Sequence, residues 1–185
     1  MNRLSLGLIG GLLALFLASP LFAEGASRVV SIGGAVTEIV YALGEESRLV
    51  ARDTTSNYPP EVTDLPDVGY IRRLSPEGVL SVRPDLILSE EGAGPPEAVD
   101  LLTAAAIPFV EIPEGYTPEA VRAKILAVGE ALGVPDKATA LADKVTTDLQ
   151  AAMDGVDMAG KKVLFILSMQ GGRVMASGTG TAADG

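Results

Sequence analysis

The chain has 185 residues with 24 acidic and 14 basic side chains, a formal net charge of −10, no histidine and no cysteine. Because nucleic-acid binders carry basic patches, this acidity argues against nucleic acid as a partner. The absence of cysteine excludes thiol catalysis and thiolate metal sites, and the absence of histidine removes the commonest transition-metal ligand and general base. Metal chemistry must therefore use carboxylate or phenolate oxygens, or a metal already held in a cofactor.

Residues 1–23 have the pattern of a secretory signal peptide. Arg3 gives a positive start, an apolar run extends from Leu4 to Leu17, and Ala23 is a small residue at the expected cleavage point. A membrane anchor is the alternative, but the run is short and is interrupted by glycines. Because no cysteine is present for lipid attachment, the bacterial lipoprotein route is excluded. The sequence therefore predicts a protein exported to the periplasm.

The mature part of the chain begins with a strand, a turn and a helix. The strand is predicted over residues 28–32, and a glycine pair leads into a helix whose apolar face ends at Leu43. The spacing matches neither the dinucleotide nor the P-loop phosphate motif, so a structural turn is favoured over a phosphate cradle. A second strand is predicted over residues 47–51, and a polar, proline-rich loop follows over residues 53–67.

That loop ends in Asp67–Arg73, which places one tyrosine beside two arginines. If the segment is extended, Tyr70 and Arg72 point to the same face. A guanidinium near a phenol favours the phenolate, and tyrosinate is a known axial ligand of haem iron. Arg72 and Arg73 could also pair with haem propionates. The alternative is a rim tyrosine with two solvated arginines, which is the commoner situation for such residues.

A helix start follows at Ser75, which is a typical N-cap residue. Pro76 suits the first helical position, and Glu77 faces the positive end of the helix dipole. The helix is expected to end near Pro84, and a buried strand is predicted over residues 86–89.

A second candidate ligand loop covers residues 90–96. It contains Gly92, Ala93 and Gly94, small residues that allow the backbone to approach a ligand closely. A helix is predicted to follow over residues 97–106.

The next strand is predicted over residues 107–112, and Pro108 favours an edge position for it. Thr117 is expected to cap a helix with an apolar stripe. Asp136 is expected to cap a longer helix over residues 137–153.

A fresh apolar run, Val163–Leu167, predicts a buried strand that a glycine turn connects to a further strand. Alternating strands and helices indicate an α/β fold with a mainly parallel sheet, which binds ligands at the carboxyl ends of its strands. We predict a Rossmann-like N-terminal α/β lobe over residues 28–135, a connecting helix over residues 136–154, and the beginning of a truncated second lobe over residues 161–185.

Segments spread over residues 28–185 resemble the periplasmic haemin-binding proteins of haem ABC importers. These segments are Val30–Gly34, Thr37–Gly44, Asp67–Arg72, Leu74–Ser81, Arg83–Leu86, Gly92–Pro95 and Leu164–Ser168. The strand–helix and Arg-Pro-Asp motifs are shared with siderophore- and cobalamin-binding relatives. The Gly-Tyr-x-Arg part, residues 69–72, is the feature that points to haem.

The resemblance implies a class III periplasmic binding protein, with two α/β lobes joined by one long helix and the ligand in the cleft between them. Tyr70 falls on the family's axial tyrosine, and Arg72 falls on an arginine near that tyrosine and the haem. Arg73 has no such match and is added as a propionate partner on charge alone. Glu77 falls where the superfamily carries a glutamate that docks on a permease arginine. Its alternative role is to complement the helix dipole.

The resemblance therefore implies a non-catalytic carrier. It would bind haem b as the transported ligand and deliver it to an inner-membrane ABC permease with its ATPase, downstream of an outer-membrane haem receptor. A ferric siderophore or cobalamin carrier is the nearest alternative. An exported hydrolase that uses Glu90 and Glu91 is a further alternative, but adjacent loop carboxylates make a poor acid–base pair.

Overall fold

The computed structural model describes residues 25–157, 160–181 and 183 of the chain. The signal peptide that the sequence predicts over residues 1–23 lies outside these described residues. Among the described residues, no helix combines the length and apolar character that crossing a membrane requires.

The described residues form a four-stranded parallel sheet with flanking helices, followed by an antiparallel hairpin. The sheet strands are β1 (Val29–Ile32), β2 (Leu49–Arg52), β3 (Leu86–Glu90) and β4 (Phe109–Ile112), and they lie in the order β2, β1, β3, β4. The helices are α1 (Gly34–Ala42), α2 (Pro76–Ser81), α3 (Pro96–Thr103), α4 (Pro118–Ala131) and α5 (Pro135–Met153). Short 3₁₀ turns cover Glu46–Arg48, Pro60–Asp64 and Ile71–Arg73, and the hairpin consists of β5 (Ile166–Gln170) and β6 (Arg173–Ala176). The predicted α/β class with a parallel sheet is confirmed.

The central strands are apolar throughout because both faces of the sheet are covered. Successive side chains of a strand point to opposite faces. Leu86 and Leu88 accordingly pack in the core shared with α1, α4 and α5, whereas Ile87 packs in a second core with α2 and α3. The second core also receives Val68 and Leu74, which come from the loop around Tyr70 and the start of α2. One of the two cores therefore holds the backbone on both sides of the candidate ligand tyrosine.

Local signals in the sequence located several boundaries correctly. The Ser75 hydroxyl accepts a hydrogen bond from the Gly78 amide at 3.3 Å, and the Thr117 hydroxyl accepts one from the Ala120 amide at 3.2 Å. Both residues are therefore N-caps, as predicted. Pro108 directly precedes β4, and β4 is an edge strand of the sheet.

Several boundary predictions are wrong, and the strand predicted over residues 107–112 begins only at Phe109. Asp136 does not cap α5: the helix begins at Pro135, so Val134 is the N-cap residue and Asp136 lies in the first turn. The strand predicted over residues 47–51 begins later, because a 3₁₀ turn occupies the residues before Leu49. The helix predicted to reach residue 106 ends at Thr103.

The prediction of a buried strand over Val163–Leu167 is also wrong. The strand starts at Ile166, and the five apolar side chains of the predicted run are 45% to 74% exposed. β5 pairs with β6 in a two-stranded hairpin. Such a hairpin supplies no second layer against which its side chains can be buried.

Candidate functional site

The four parallel strands end at one edge of the sheet, and the predicted ligand loops leave from this edge. The loop after β2 leads to Tyr70, and the loop after β3 contains Gly92 and Gly94. Sheets of this kind bind ligands outside the carboxyl ends of their strands. The structure therefore brings the two predicted ligand loops to the same edge of the sheet.

Backbone hydrogen bonds extend the sheet beyond β2 and hold the tyrosine segment in place. The amide of Val68 donates to the carbonyl of Arg52 at 2.9 Å, and the amide of Thr54 donates to the carbonyl of Gly69 at 2.9 Å. Gly69 has a φ of 107°, a conformation that glycine adopts without strain. The chain can therefore turn immediately before Tyr70 while remaining attached to the strand end.

Tyr70 itself projects from this anchored backbone. Its neighbours Val68 and Ile71 are 8% and 7% exposed and belong to the second core, whereas Tyr70 is 47% exposed. The buried neighbours anchor the backbone near Tyr70, and almost half of the surface of Tyr70 remains exposed.

The expectation that Tyr70 and Arg72 share a face of an extended segment is wrong. Ile71–Arg73 form a 3₁₀ turn, and Arg73 donates its amide to the Tyr70 carbonyl at 2.7 Å. The alternation of an extended strand therefore does not apply here. Arg72 Nη1 instead donates to the carbonyl of Gly92 in the neighbouring loop. Arg73 is exposed.

The Gly92–Gly94 loop is bonded directly to the tyrosine segment. The Gly94 amide donates to the Ile71 carbonyl at 2.9 Å, and the Leu74 amide donates to the Gly94 carbonyl at 2.7 Å. Gly92 has a φ of 79°, and a Cβ atom built on it would lie 2.7 Å from Arg72 Nη1. The small residues of this loop therefore admit the guanidinium of Arg72, and the two predicted ligand loops form one connected unit.

Sequence reasoning missed an ion cluster behind this unit. Lys124 of α4 is 6% exposed, and its Nζ atom lies 2.8 Å from Glu90 Oε1 and 3.0 Å from Glu114 Oε2. Burial and the neighbouring carboxyl of Glu114 raise the pKa of Glu90 above its usual value. Burial opposes the charge on Lys124, but its two carboxylate partners outweigh this effect and raise its pKa. A lysine within the apolar stripe of α4 was the available signal, because lysine is seldom buried without a partner.

A second polar cluster fixes the turn after β1. The buried carboxylate of Asp53 accepts hydrogen bonds from the Gly33 amide at 3.0 Å, the Thr55 amide at 3.0 Å and the Ser56 hydroxyl at 2.7 Å. Ser56 in turn shares a hydrogen bond of 2.7 Å with Thr37. Since the Gly33 amide is already engaged, the turn is structural, as the sequence suggested.

Glu77 lies in the first turn of α2 and is exposed. The short helix begins directly after the tyrosine segment, so Glu77 is part of the same region of the surface. Its position suits either of the two roles suggested by the sequence, because an exposed first-turn carboxylate can complement the helix dipole or meet a partner's cation.

Two further tyrosines are exposed in loops. Tyr58 follows β2 and is 64% exposed, and Tyr116 precedes α4 and is 41% exposed. Tyr58 also lines a groove of about 540 Å³ between α1, α4 and α5, together with Lys124. Both tyrosines provide comparison positions for Tyr70.

The chain is similar to solved structures of periplasmic heme-binding proteins. The periplasmic heme-binding protein RhuT from Roseiflexus sp. RS-1, in its apo form, is 37% identical with a TM-score of 0.79, and the match covers 86% of this chain and 62% of that one. The periplasmic heme-binding protein BhuT in complex with two hemes is 42% identical with a TM-score of 0.78, over 86% of this chain and 63% of that one.

A curated relative, the vitamin B12-binding protein of Yersinia pestis (strain Pestoides F), is 37% identical over 87 residues. That match covers 47% of this chain and 31% of the relative, so it concerns a part of each protein. The chain thus spans less than two thirds of the length of these relatives. The family model for periplasmic binding proteins matches residues 29–184. The chain therefore belongs to the periplasmic binding protein family.

Proposed function

We propose that this chain binds haem at the carboxyl edge of its sheet, with Tyr70 as the ligand of the haem iron. The observation that carries the proposal is the exposed Tyr70 phenol on a backbone anchored at this edge, with Arg72 beside it in sequence. Tyrosinate is an established haem ligand, and the chain has no histidine or cysteine to serve instead. The likeness to heme-binding proteins gives further support.

The two arginines supply positive charge next to the proposed ligand. Arg72 presents a planar fork of N–H donors, of which Nη1 is bonded to Gly92. The remaining donors suit a haem propionate. Arg73 is exposed and is proposed as a second propionate partner. Gly92, Ala93 and Gly94 form the adjoining wall of the proposed cleft.

The proposed activity is binding and delivery of haem b, without a catalytic step. The protein would be exported to the periplasm through the signal peptide at residues 1–23, receive haem from an outer-membrane receptor system, and hand it to an inner-membrane ABC permease with its ATPase. One lobe would consist of residues 28–135, and the connecting helix would consist of residues 136–154. Residues 161–185 would belong to a second lobe, and the cleft would lie between the two lobes. This activity would contribute to iron uptake.

Glu77 is proposed as a docking charge for a permease arginine. A rim ion pair acts mainly on association rate and on its dependence on salt. Glu77→Lys should therefore leave haemin binding unchanged and slow haem transfer to the permease, most clearly at low salt. Glu97→Lys, which reverses another first-turn carboxylate on α3, is the matched control. Equal transfer rates for Glu77→Lys and the parent would assign Glu77 to the helix dipole alone.

A titration of the purified chain with haemin tests the proposed function. Ferric haem bound by tyrosinate is expected to show a Soret band with charge-transfer bands. Tyr70→Phe keeps the ring, removes the oxygen and should abolish those bands. Tyr58→Phe and Tyr116→Phe are matched controls, since both residues are exposed loop tyrosines, and both variants should retain the bands. Retention of the bands by Tyr70→Phe would overturn the assignment.

A cobalamin carrier is the second candidate, and the match to a vitamin B12-binding protein favours it. A parallel titration with cobalamin separates the two, because the cobalt is already ligated and requires no phenolate from the protein. Cobalamin binding that survives Tyr70→Phe, together with no response to haemin, would favour this candidate. A ferric siderophore carrier is tested in the same way with ferric siderophores.

The hydrolase alternative gains no support from the geometry of Glu90 and Glu91. Glu90 is ion-paired with Lys124, and Glu91 Oε2 accepts a hydrogen bond from the Glu114 amide at 3.0 Å. Both carboxylates therefore have structural partners at the strand ends.

A further inference from the structure

Lys124 links helix α4 to the ends of two neighbouring strands. Its buried ammonium group contacts Glu90, the last residue of β3, and Glu114, which follows β4. A buried ion pair adds little net stability compared with well-packed apolar side chains, because desolvation offsets the attraction. Such a cluster instead fixes the relative positions of the elements that carry it, and here those elements lead into the proposed ligand loops.

Glu90 is held on two sides. A Cβ atom built on Gly33 would lie 2.7 Å from both Cβ and Oε2 of Glu90, so the glutamate packs directly against the turn after β1. On its other side Glu90 meets Lys124 at 2.8 Å. The Glu90 carbonyl then accepts a hydrogen bond from the Ala93 amide at 3.3 Å. The first residue of the loop is therefore fixed before the chain reaches Gly92.

The same loop carries the contacts that hold the tyrosine segment. Arg72 binds the Gly92 carbonyl, and Gly94 exchanges backbone hydrogen bonds with Ile71 and Leu74. Any displacement of the loop must therefore change the direction of Arg72 and the backbone next to Tyr70. A continuous set of contacts runs from the ion cluster to the proposed ligand.

We propose that Lys124 is a positioning residue: through Glu90 it holds the Gly92–Gly94 loop, and through that loop it orients Arg72 and the Tyr70 segment for the ligand. The identity of the ligand rests on the proposed function, whereas the positioning of the loop is a property of the ligand-free chain. In this proposal Lys124 acts on the ligand site through the loop and is not itself a ligand-binding residue.

Hydrogen exchange on the ligand-free chain tests the loop directly. Lys124→Met keeps an unbranched side chain and leaves Glu90 and Glu114 without their cation. The amides of Ala93, Gly94 and Leu74 should then exchange at least several-fold faster than in the parent. Arg122→Met is the matched control, because Arg122 is on the same helix and forms an exposed ion pair of 2.6 Å with Asp143. Its effect on these amides should be negligible.

Haemin titration tests the consequence for the ligand. Lys124→Met should weaken haemin binding several-fold and shift the charge-transfer bands, because the Gly92–Gly94 loop would no longer hold Arg72 and the Tyr70 segment in place. Lys124→Arg retains the positive charge, so it should keep more of the affinity and of the charge-transfer bands than Lys124→Met does. A role in stability alone would change the unfolding midpoint and leave the spectrum of the bound haem as in the parent.

Glu90→Gln provides a second variant if Lys124→Met fails to fold, because it keeps the size of the side chain and removes the charge through which Lys124 holds the loop. It should produce the same changes in smaller measure. Unchanged exchange of the loop amides in folded Lys124→Met, or in Glu90→Gln where Lys124→Met does not fold, would overturn the positioning role. If the parent chain did not bind haemin, the proposed function would be overturned instead. The hydrogen-exchange rates of the loop amides would still decide whether Lys124 positions the loop.

Discussion

Strands β3 and β5 are similar in sequence and opposite in burial. Leu86, Ile87 and Leu88 of β3 are all 0% exposed, whereas Ile166 and Leu167 of β5 are 45% and 59% exposed. β3 lies between two strands of a sheet that has a core on each face, and β5 pairs with β6 in a hairpin. Apolar composition therefore predicts a strand in both places, and burial depends on whether other elements supply covering layers.

The largest expected effect tests this contrast with a matched pair of leucines. Leu88→Ala should lower the free energy of unfolding by about 2–5 kcal/mol, because it leaves a cavity in a packed core. Leu167→Ala should change it by less than about 0.5 kcal/mol, since the side chain is already exposed. Urea unfolding followed by circular dichroism measures both values. Similar losses for the two variants would mean that the hairpin is packed in solution.

The same contrast between the parallel sheet and the hairpin applies to polar contacts, and Arg48 is an example from the sheet region. Its Nε atom donates to the Ala26 carbonyl at 2.6 Å, and its Nη1 atom donates to the Leu132 carbonyl at 2.8 Å. Arg48→Met should therefore lower the free energy of unfolding by about 1–3 kcal/mol, because these carbonyls lose their donor. Arg173→Met, at an exposed position of β6, is the control and should have almost no effect. A loss for Arg173→Met as large as that for Arg48→Met would contradict the contrast.

Two glycines with positive φ angles, one beside the proposed site and one in the hairpin, allow the two regions to be compared. Gly92 and Gly171 have φ values of 79° and 56°, but only at Gly92 would a Cβ atom meet a neighbour, Arg72 Nη1 at 2.7 Å. Gly92→Ala should therefore cost about 1–2 kcal/mol from the left-handed conformation, displace Arg72 and weaken haemin binding. Gly171→Ala should leave haemin binding unchanged. Calorimetric titration with haemin compares the two, and equal affinities would remove the proposed link between Gly92 and the site.

The smallest effect concerns pH. Burial opposes ionisation of Asp85, but hydrogen bonds from the Ser27 and Arg28 amides, at 2.9 and 2.8 Å, outweigh it and lower its pKa. A depressed pKa in the folded state means that the stabilisation is present above the unfolded value of about 4 and is lost as the pH falls through the folded value.

Asp85→Asn should therefore reduce stability at pH 7 by about 1 kcal/mol, in the range of a single hydrogen bond, and the difference from the parent should shrink below about pH 4. Asp148→Asn, on the exposed face of α5, is the control and should change little at either pH. Urea midpoints at pH 7 and pH 3 measure the difference. A deficit for Asp85→Asn that persisted at pH 3 would indicate lost packing instead of lost charge.

Much of the fold could be predicted because its signals are local. Ser75 and Thr117 cap helices through groups three residues away, and the proline before β4 marks an edge strand. The prediction that Asp136 caps α5 was wrong by a small shift along the chain, because proline and aspartate are both favourable in the first turn of a helix. Such errors move a boundary without changing the architecture.

The candidate site was predicted less completely because its contacts join distant segments. The tyrosine and the glycine loop were named from the sequence, but the turn at Ile71–Arg73 and the contact of Arg72 with Gly92 were not. Lys124 was missed because its partner Glu90 is 34 residues away in the chain. No periodicity within a helix indicates which strand end a buried lysine will meet.

The sequence by itself determined the alternation of strands and helices, the edge of the sheet where loops collect, and the exposed candidate residues. These follow from propensities and apolar periods that act over a few residues. Only the tertiary structure decided which apolar strands are buried, which way Arg72 points, and that Lys124 forms an ion cluster with Glu90 and Glu114 at the strand ends. These outcomes depend on packing and charge pairing between segments that are far apart in the chain. A residue has such a contact only when the fold brings its partner next to it.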